Sequence, residues 1–184
     1  MTNHPAFQYL HDMNKLILFL LGILLIACTE ISYKEPQPKG IKSLTEVPSK
    51  LHGTYLWQGD TITFFDKGFR VKDKQADFLY LSDSIVLKKY KNHYFVSYRE
   101  QHEWLIRVLK PQKNGNLLYL EMENVPENDD EKKIFIEKLS KETPVIKNTI
   151  DSVTHYMIDP SPKKLYTLVK KGFFKEKSTL KKIN

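Results

Sequence analysis

Apolar and polar residues alternate with a period of two through the middle of the chain, from residue 51 to residue 122. In the first segment Leu51, Gly53, Tyr55 and Trp57 share one face. This is the period of a β-strand, in which successive side chains point to opposite faces. The pattern predicts strands over 51–58, 61–65, 69–71, 78–81, 85–90, 94–99, 104–109 and 117–122.

Turn sequences separate these strands at intervals of roughly 8–12 residues, with no helical pattern between them. One example is Asn114-Gly115, which stands between two apolar segments. Both residue types accept the positive φ of a type I′ turn, so the pair is typical of a hairpin. Consecutive strands joined by such short turns predict an antiparallel meander.

The pattern changes after Met122. An acidic loop over 123–130 leads into a predicted helix over 131–139, for which Asp129 or Asp130 is the expected cap. A strand is predicted over 153–158. Ser161 and Pro162 then predict the start of a second helix, and Gly172 its end. Residues 178–183 are expected to form a last edge strand.

The predicted fold is therefore α+β and mainly β. It is an antiparallel β-meander of seven or more strands, open, twisted or half-closed, with two short helices in the C-terminal part. A closed eight-stranded barrel of the lipocalin type is the alternative, since the number of strands permits closure.

Neither face of the predicted sheet is cleanly polar. Tyr94, Val96 and Tyr98 share one face, but Phe95 lies on the other, and Leu105 and Leu109 flank Arg107. Both faces are therefore expected to be partly covered. One face would pack under the helices, while the other would form a groove or a surface for a partner.

The N-terminal region contains an uninterrupted apolar run of 12 residues, from Leu16 to Ala27, followed by Cys28, the single cysteine of the chain. A transmembrane helix needs about 20 apolar residues. The stretch Leu25-Ile26-Ala27-Cys28 resembles the lipobox of bacterial lipoprotein signal peptides. The resemblance implies cleavage between Ala27 and Cys28 and attachment of a diacylglycerol to the cysteine sulfur.

A domain organisation follows from that resemblance. Residues 1–27 are predicted to be a signal peptide, with translation starting at Met13, directly before the basic Lys15. Residues 28–50 would be the lipidated cysteine and a flexible tether, because they are rich in proline and poor in apolar side chains. Residues 51–184 would form one globular domain.

The net charge of +7 comes from lysine, since Arg70, Arg99 and Arg107 are the only arginines. Arginine makes the bidentate contacts on which nucleic-acid recognition depends, so no nucleic-acid partner is expected. The many lysines after Pro162 are interpreted as a solvated surface, with attraction to an anionic membrane as the alternative.

Candidate catalytic groups are sparse. His93 and His102 begin adjacent predicted strands and would form a weak metal site if they faced one edge. Asp151, Ser152 and His155 have the residue types of a hydrolase triad, but no nucleophile elbow accompanies them. The acidic cluster over 121–130 lacks the central glycine of a calcium loop. No catalytic site, metal site or cofactor is predicted.

The sequence therefore predicts a non-catalytic lipoprotein of the bacterial cell envelope. Cys28 would anchor it to membrane lipid at the cell membrane or the outer membrane, facing the periplasm or the cell surface. It would bind an envelope protein partner or support an envelope complex. The alternatives are a lipocalin-like carrier of a small ligand and a hydrolase that acts on envelope polymers.

Overall fold

The alternating segments build one continuous sheet in the computed structural model, which describes residues 30–72, 77–150 and 153–183. Within these ranges thirteen strands and two helices form. The strands are β1 Ile31–Tyr33, β2 Ser43–Leu44, β3 Gly53–Trp57, β4 Asp60–Phe65, β5 Gly68–Lys72, β6 Asp77–Tyr80, β7 Ile85–Tyr90, β8 His93–Glu100, β9 Glu103–Pro111, β10 Leu117–Met122, β11 Val145–Ile150, β12 Val153–Ile158 and β13 Phe174–Lys182. The helices are α1 Asp129–Ser140 and α2 Pro162–Lys170. The α+β, mainly β fold is confirmed.

Nine of the strands form a half-barrel, in the order β7-β8-β9-β10-β13-β3-β4-β5-β6. Every pairing along this path is antiparallel. In the described part of the chain no backbone pairing joins β6 to β7, so the sheet is curled but not closed. The alternative of a closed eight-stranded barrel is therefore wrong.

Strand β9 is where the sheet forks. Strand β8 pairs along one edge of β9, while β10 occupies the C-terminal half of the other edge. The remaining part of that edge pairs with β1 through Tyr33 and Trp104. Strand β1 continues the sheet by pairing in parallel with β12, which pairs with β11. A side branch of three strands therefore leaves the half-barrel at β9.

Strand β13 is central and not the predicted edge strand, because it lies between β10 and β3. Its lysines suggested an edge, since lysine commonly protects one. In the structure Phe174 and Leu180 are buried, while Lys175, Lys177 and Lys181 are exposed. Lysine here marks the solvent side of an interior strand.

Both helices pack on the same face of the sheet. Their side chains Phe135, Leu139, Leu165 and Leu168 join a core whose buried sheet members are Ile31, Tyr33, Phe95, Trp104, Ile106, Val108, Leu120, Met122, Tyr156, Ile158 and Phe174. The α1 cap is Asn128, whose side chain accepts from the N–H groups of Asp130 and Glu131, so the expected cap at Asp129 or Asp130 is wrong. The start of α2 is as predicted, with Ser161 as its cap and Pro162 in its first turn.

The segment predicted as a flexible tether is part of the folded domain. All three residues of β1 are buried, and the Gln37 backbone N–H donates to the Ser97 hydroxyl at 3.0 Å. The Lys88 ammonium donates to the carbonyls of Pro36 at 2.7 Å and Pro38 at 3.1 Å. These hydrogen bonds fix residues 36–38 across β7 and β8, and we call this segment the strap. The tether prediction is therefore wrong from Glu30 onward. The domain begins before residue 51.

Candidate ligand-binding cavity

The concave face of the half-barrel holds the second core of the domain. At one end, which we call the closed end, the space is filled by side chains that are nearly inaccessible to solvent. These are Val47, Leu51, Tyr55, Leu87, Tyr94, Leu117 and Leu180. A short 3₁₀ turn, Ser49–Leu51, places Leu51 against this end, where the Leu51 carbonyl accepts a 3.1 Å hydrogen bond from the Tyr55 hydroxyl.

Beyond these side chains the concave face of the half-barrel forms a half-open cavity of about 530 Å³. This volume lies within the range of roughly 300–1,000 Å³ that small-molecule sites occupy. Its walls are mostly apolar side chains: Trp57, Ile62, Phe64, Phe69, Val71, Leu79, Ile85, Val96, Leu109 and Leu180. The alternation along β3 to β10 and along β13 produces this lining, because every second residue points inward.

We call the opposite end, marked by half-buried Trp57, Ile85 and Tyr98 and by Arg107, the mouth. The Arg107 side chain is only 15% exposed. Its Nη1 and Nη2 groups donate to the two oxygens of Glu30 at 3.0 and 3.1 Å, a bidentate pair. Its Nε lies 3.0 Å from Oε1 of Glu121.

Tyrosines complete this cluster of charges at the mouth. The Tyr119 hydroxyl donates to the Glu121 carboxylate at 2.7 Å, and the Arg107 guanidinium stands 5.0 Å from the centre of the Tyr98 ring. A charged guanidinium can remain in this half-buried place because hydrogen bonds and opposite charges replace its lost water.

The pKa values of the groups at the mouth are shifted away from the neutral range. Burial opposes the charge of Arg107, but the hydrogen bonds to the Glu30 carboxylate and its negative charge act in the other direction, and the pKa of Arg107 is raised. Burial raises the pKa of Tyr98 to about 12. Burial, with the hydrogen bond to Glu121, also raises the pKa of Tyr119. Both tyrosines are therefore neutral hydrogen-bonding groups at physiological pH, so their chemistry suits binding.

The predicted lipidation and cleavage residues, Ala27 and Cys28, lie outside the described residues, and so does the predicted signal peptide. The first described residue is Glu30, which is also the partner of Arg107. Sequence analysis missed this ion pair because 77 positions separate its members. The signal for Arg107 was present, since it is a lone charge between Leu105 and Leu109 on a predicted strand.

The expectation that His93 and His102 could face one edge is wrong. Strands β8 and β9 are antiparallel, with Tyr94 opposite Leu109 and Glu100 opposite Glu103. The starts of two antiparallel neighbours lie at opposite ends of the hairpin, so the two histidines are far apart along it. His93 is buried against Tyr166, with their ring centres 5.3 Å apart.

The structure describes the other candidate chemical groups only in part. Asp151 and Ser152 lie outside the described residues, whereas His155 is half-buried on β12. In the acidic cluster, Glu121 contacts Arg107 and Asp129 forms a 2.8 Å ion pair with Lys132. Across residues 30–72, 77–150 and 153–183, no three histidine, cysteine or acidic side chains are grouped as metal ligands.

Comparisons with protein-family models, with curated proteins and with solved structures found no match to this chain. Neither of the two described helices combines the length and the apolar character needed to cross a membrane.

Proposed function

We propose that this protein is a non-catalytic lipoprotein of the bacterial cell envelope that binds an apolar small ligand in the half-barrel cavity. The observation that supports the proposal is the cavity itself, about 530 Å³ of space between apolar walls. An apolar cavity of this kind favours an apolar occupant over water, because its walls offer water few hydrogen-bonding partners. Among the interpretations left open by the sequence, the geometry favours the ligand carrier.

The polar groups at the mouth narrow the class of ligand. The donors of Arg107 are directed to Glu30, to Glu121 and, through Nη1, to the carbonyl of Ile106 at 3.1 Å. A guanidinium held by two carboxylates is a poor partner for an anionic headgroup. The walls therefore select the ligand by burying its apolar part, and an acyl chain has the matching chemistry.

The test is a titration with the apolar fluorescent probe N-phenyl-1-naphthylamine, using protein that begins at Thr29. Val96→Trp places a large ring in the cavity, because Val96 lines it from β8, and should abolish the rise in probe fluorescence. Ile146→Trp adds a ring of the same size on β11, where Ile146 is 46% exposed and outside the cavity. Equal probe binding by both variants would show that the cavity is not the binding site.

The membrane anchor has its own test. The lipobox resemblance predicts that the mature protein begins at a cysteine that carries acyl chains, which mass spectrometry would detect. Cys28→Ser should accumulate as an uncleaved, unlipidated precursor. A dominant mature form that contains an intact peptide across residues 26–30 would contradict the anchor.

A protein partner remains the second candidate function, supported by the outer face of β6. Phe78 and Tyr80 are 51% and 53% exposed there, with stacked rings 6.1 Å apart, on a strand that ends the path of the half-barrel. Such a strand can pair with an extended segment of another protein. Phe78→Ser should then lower recovery of a specific envelope protein in a cross-linking pull-down, while the exposed control Ile146→Ser should not.

A further inference from the structure

We infer that the mouth of the cavity lies against the membrane and that the cavity takes an acyl chain directly from a bilayer lipid. This inference rests on the proposed function, since it assumes lipidated Cys28 and an apolar ligand. It adds the source of the ligand and the orientation of the domain.

Glu30 has a fixed position in the folded domain. Its carboxylate is held by two hydrogen bonds to Arg107, which itself lines the cavity. The residues that follow are equally fixed. Ile31 to Tyr33 pair in parallel with β12, and Tyr33 pairs with β9, while Ile31 and Tyr33 are 2% and 0% exposed. The point at which the chain enters the folded domain is therefore at the mouth.

The proposed anchor is only a short distance along the chain from this point. One residue, Thr29, separates Glu30 from Cys28. Since a chain spans at most about 3.6 Å per residue, the Cα atom of Cys28 lies within roughly 7 Å of that of Glu30. The polar region of a bilayer leaflet is itself roughly 5–8 Å thick. A diacylglycerol on Cys28 would thus hold the mouth at the membrane interface, with no tether to let it turn away.

Large side chains surround the mouth itself. Trp57, Ile85 and Tyr98 are half-buried residues that line the cavity at this end. Aromatic side chains with one polar group suit a membrane interface, where one side is apolar and the other hydrated. An acyl chain that enters past them would exchange the bilayer interior for the apolar cavity without crossing water. Its headgroup would stay outside the cavity.

The two tryptophans of the chain make the test possible. Trp57 lines the cavity, and its Nε1 donates to the Ser178 hydroxyl at 2.8 Å. Trp104 belongs to the core under the helices, on the opposite face. Full-length lipidated protein is placed in phosphatidylcholine vesicles whose acyl chains carry bromine, a contact quencher of tryptophan fluorescence. Trp104→Phe protein, which retains Trp57, should lose emission, whereas Trp57→Phe protein should keep the emission of Trp104.

A linker variant tests the orientation. Inserting twelve Gly/Ser residues between Thr29 and Glu30 adds a flexible chain with a root-mean-square length of about 17–21 Å. It leaves the cavity unchanged, so the quenching of Trp57 should fall while binding of N-phenyl-1-naphthylamine persists. Quenching as strong as without the linker would overturn the inference, because the mouth would not need to be held at the bilayer.

The remaining outcomes separate this inference from the proposed function. If the probe binds but brominated chains never quench Trp57, the cavity takes its ligand from another source and the inference is wrong. If protein without the lipid binds the probe but lipidated protein does not, the chains on Cys28 occupy the cavity themselves, which also overturns it. If neither form binds the probe at the cavity, the proposed function fails.

Discussion

The ion pair between Arg107 and Glu30 joins the N-terminal segment to the cavity at a single pair of residues. The Arg107 side chain is 15% exposed and that of Glu30 34% exposed, so water screens the pair only in part. Both guanidinium nitrogens that contact Glu30 do so at hydrogen-bond distance. The contribution of this pair to stability is therefore expected to exceed that of an ordinary surface salt bridge.

Glu30→Ala should lower the free energy of unfolding by about 1.5–3 kcal/mol, the usual range for hydrogen bonds to a charged group. Urea denaturation of protein that begins at Thr29 measures the change. Glu46→Ala is the matched control, because Glu46 forms a 2.7 Å ion pair with Lys67 in which both side chains are more than half exposed. An equal loss in the two variants would show that the geometry at Arg107 adds nothing.

At the residue scale, the cavity walls and Arg107 were predictable from the sequence, but the partner of Arg107 was not. The alternation of apolar residues identified the inward-facing residues of the strands, and Arg107 was visible as a charge in an apolar strand. Glu30 was not visible, because nothing in the residues around it indicates a partner on β9. Local patterns report which way a side chain points, but pairing over long sequence separations depends on the whole fold.

At the scale of elements, the hairpins were predictable, whereas of the side branch only β12 was predicted, over 153–158. Each strand from β3 to β10 has its own alternation and a turn close by in the chain, so local signals were enough. Strand β1 has three residues, all buried, and its neighbours are β12 and β9, which are remote in sequence. Strand β11 has no turn glycine or proline that would mark its hairpin with β12.

Strand β1 and the residues around it determine where a stable domain can begin. A protein that starts at Lys42 lacks β1, the Glu30 ion pair and the strap over Ser97 and Lys88. Burial of Ile31 alone contributes about 1.5–3 kcal/mol, and domains are stable by only about 5–15 kcal/mol in total. Ser97 and Lys88, which are 0% and 6% exposed, would also lose their hydrogen-bond partners.

We therefore expect protein that starts at Lys42 to be unfolded or aggregated, and protein that starts at Thr29 to fold. Far-UV circular dichroism with thermal denaturation distinguishes the two states. A cooperative transition at the same temperature in both proteins would show that the strap and β1 are dispensable, in which case the segment before residue 42 would serve as the tether that the sequence alone predicted.

At the scale of the whole molecule, charge and anchor act on different ends of the half-barrel. The closed end carries exposed lysines whose ammonium groups lie over buried rings: Lys50 and Lys89 are 5.1 and 5.9 Å from the centre of Tyr94, and Lys182 is 5.8 Å from that of Tyr55. An anionic membrane would attract this end, whereas the proposed anchor holds the mouth. The two forces therefore favour opposite orientations.

The distance between the lysines and the mouth should make the anchor the stronger of the two influences on orientation. Lys89 lies four positions after Ile85, the β7 residue at the mouth, which is a distance of about 13 Å at roughly 3.3 Å per residue. At physiological salt the Debye length is about 8 Å, so the attraction of these lysines to the bilayer is largely screened once the mouth is seated. The test is a triple variant that combines Lys50→Gln, Lys89→Gln and Lys182→Gln, placed in brominated vesicles with added anionic lipid. We expect the quenching of Trp57 in this variant to equal that in the unmodified protein. The emission of Trp57, recorded at low and at high salt, measures this quenching. If low salt weakens quenching in the unmodified protein and the triple variant restores it, the lysines and not the anchor set the orientation.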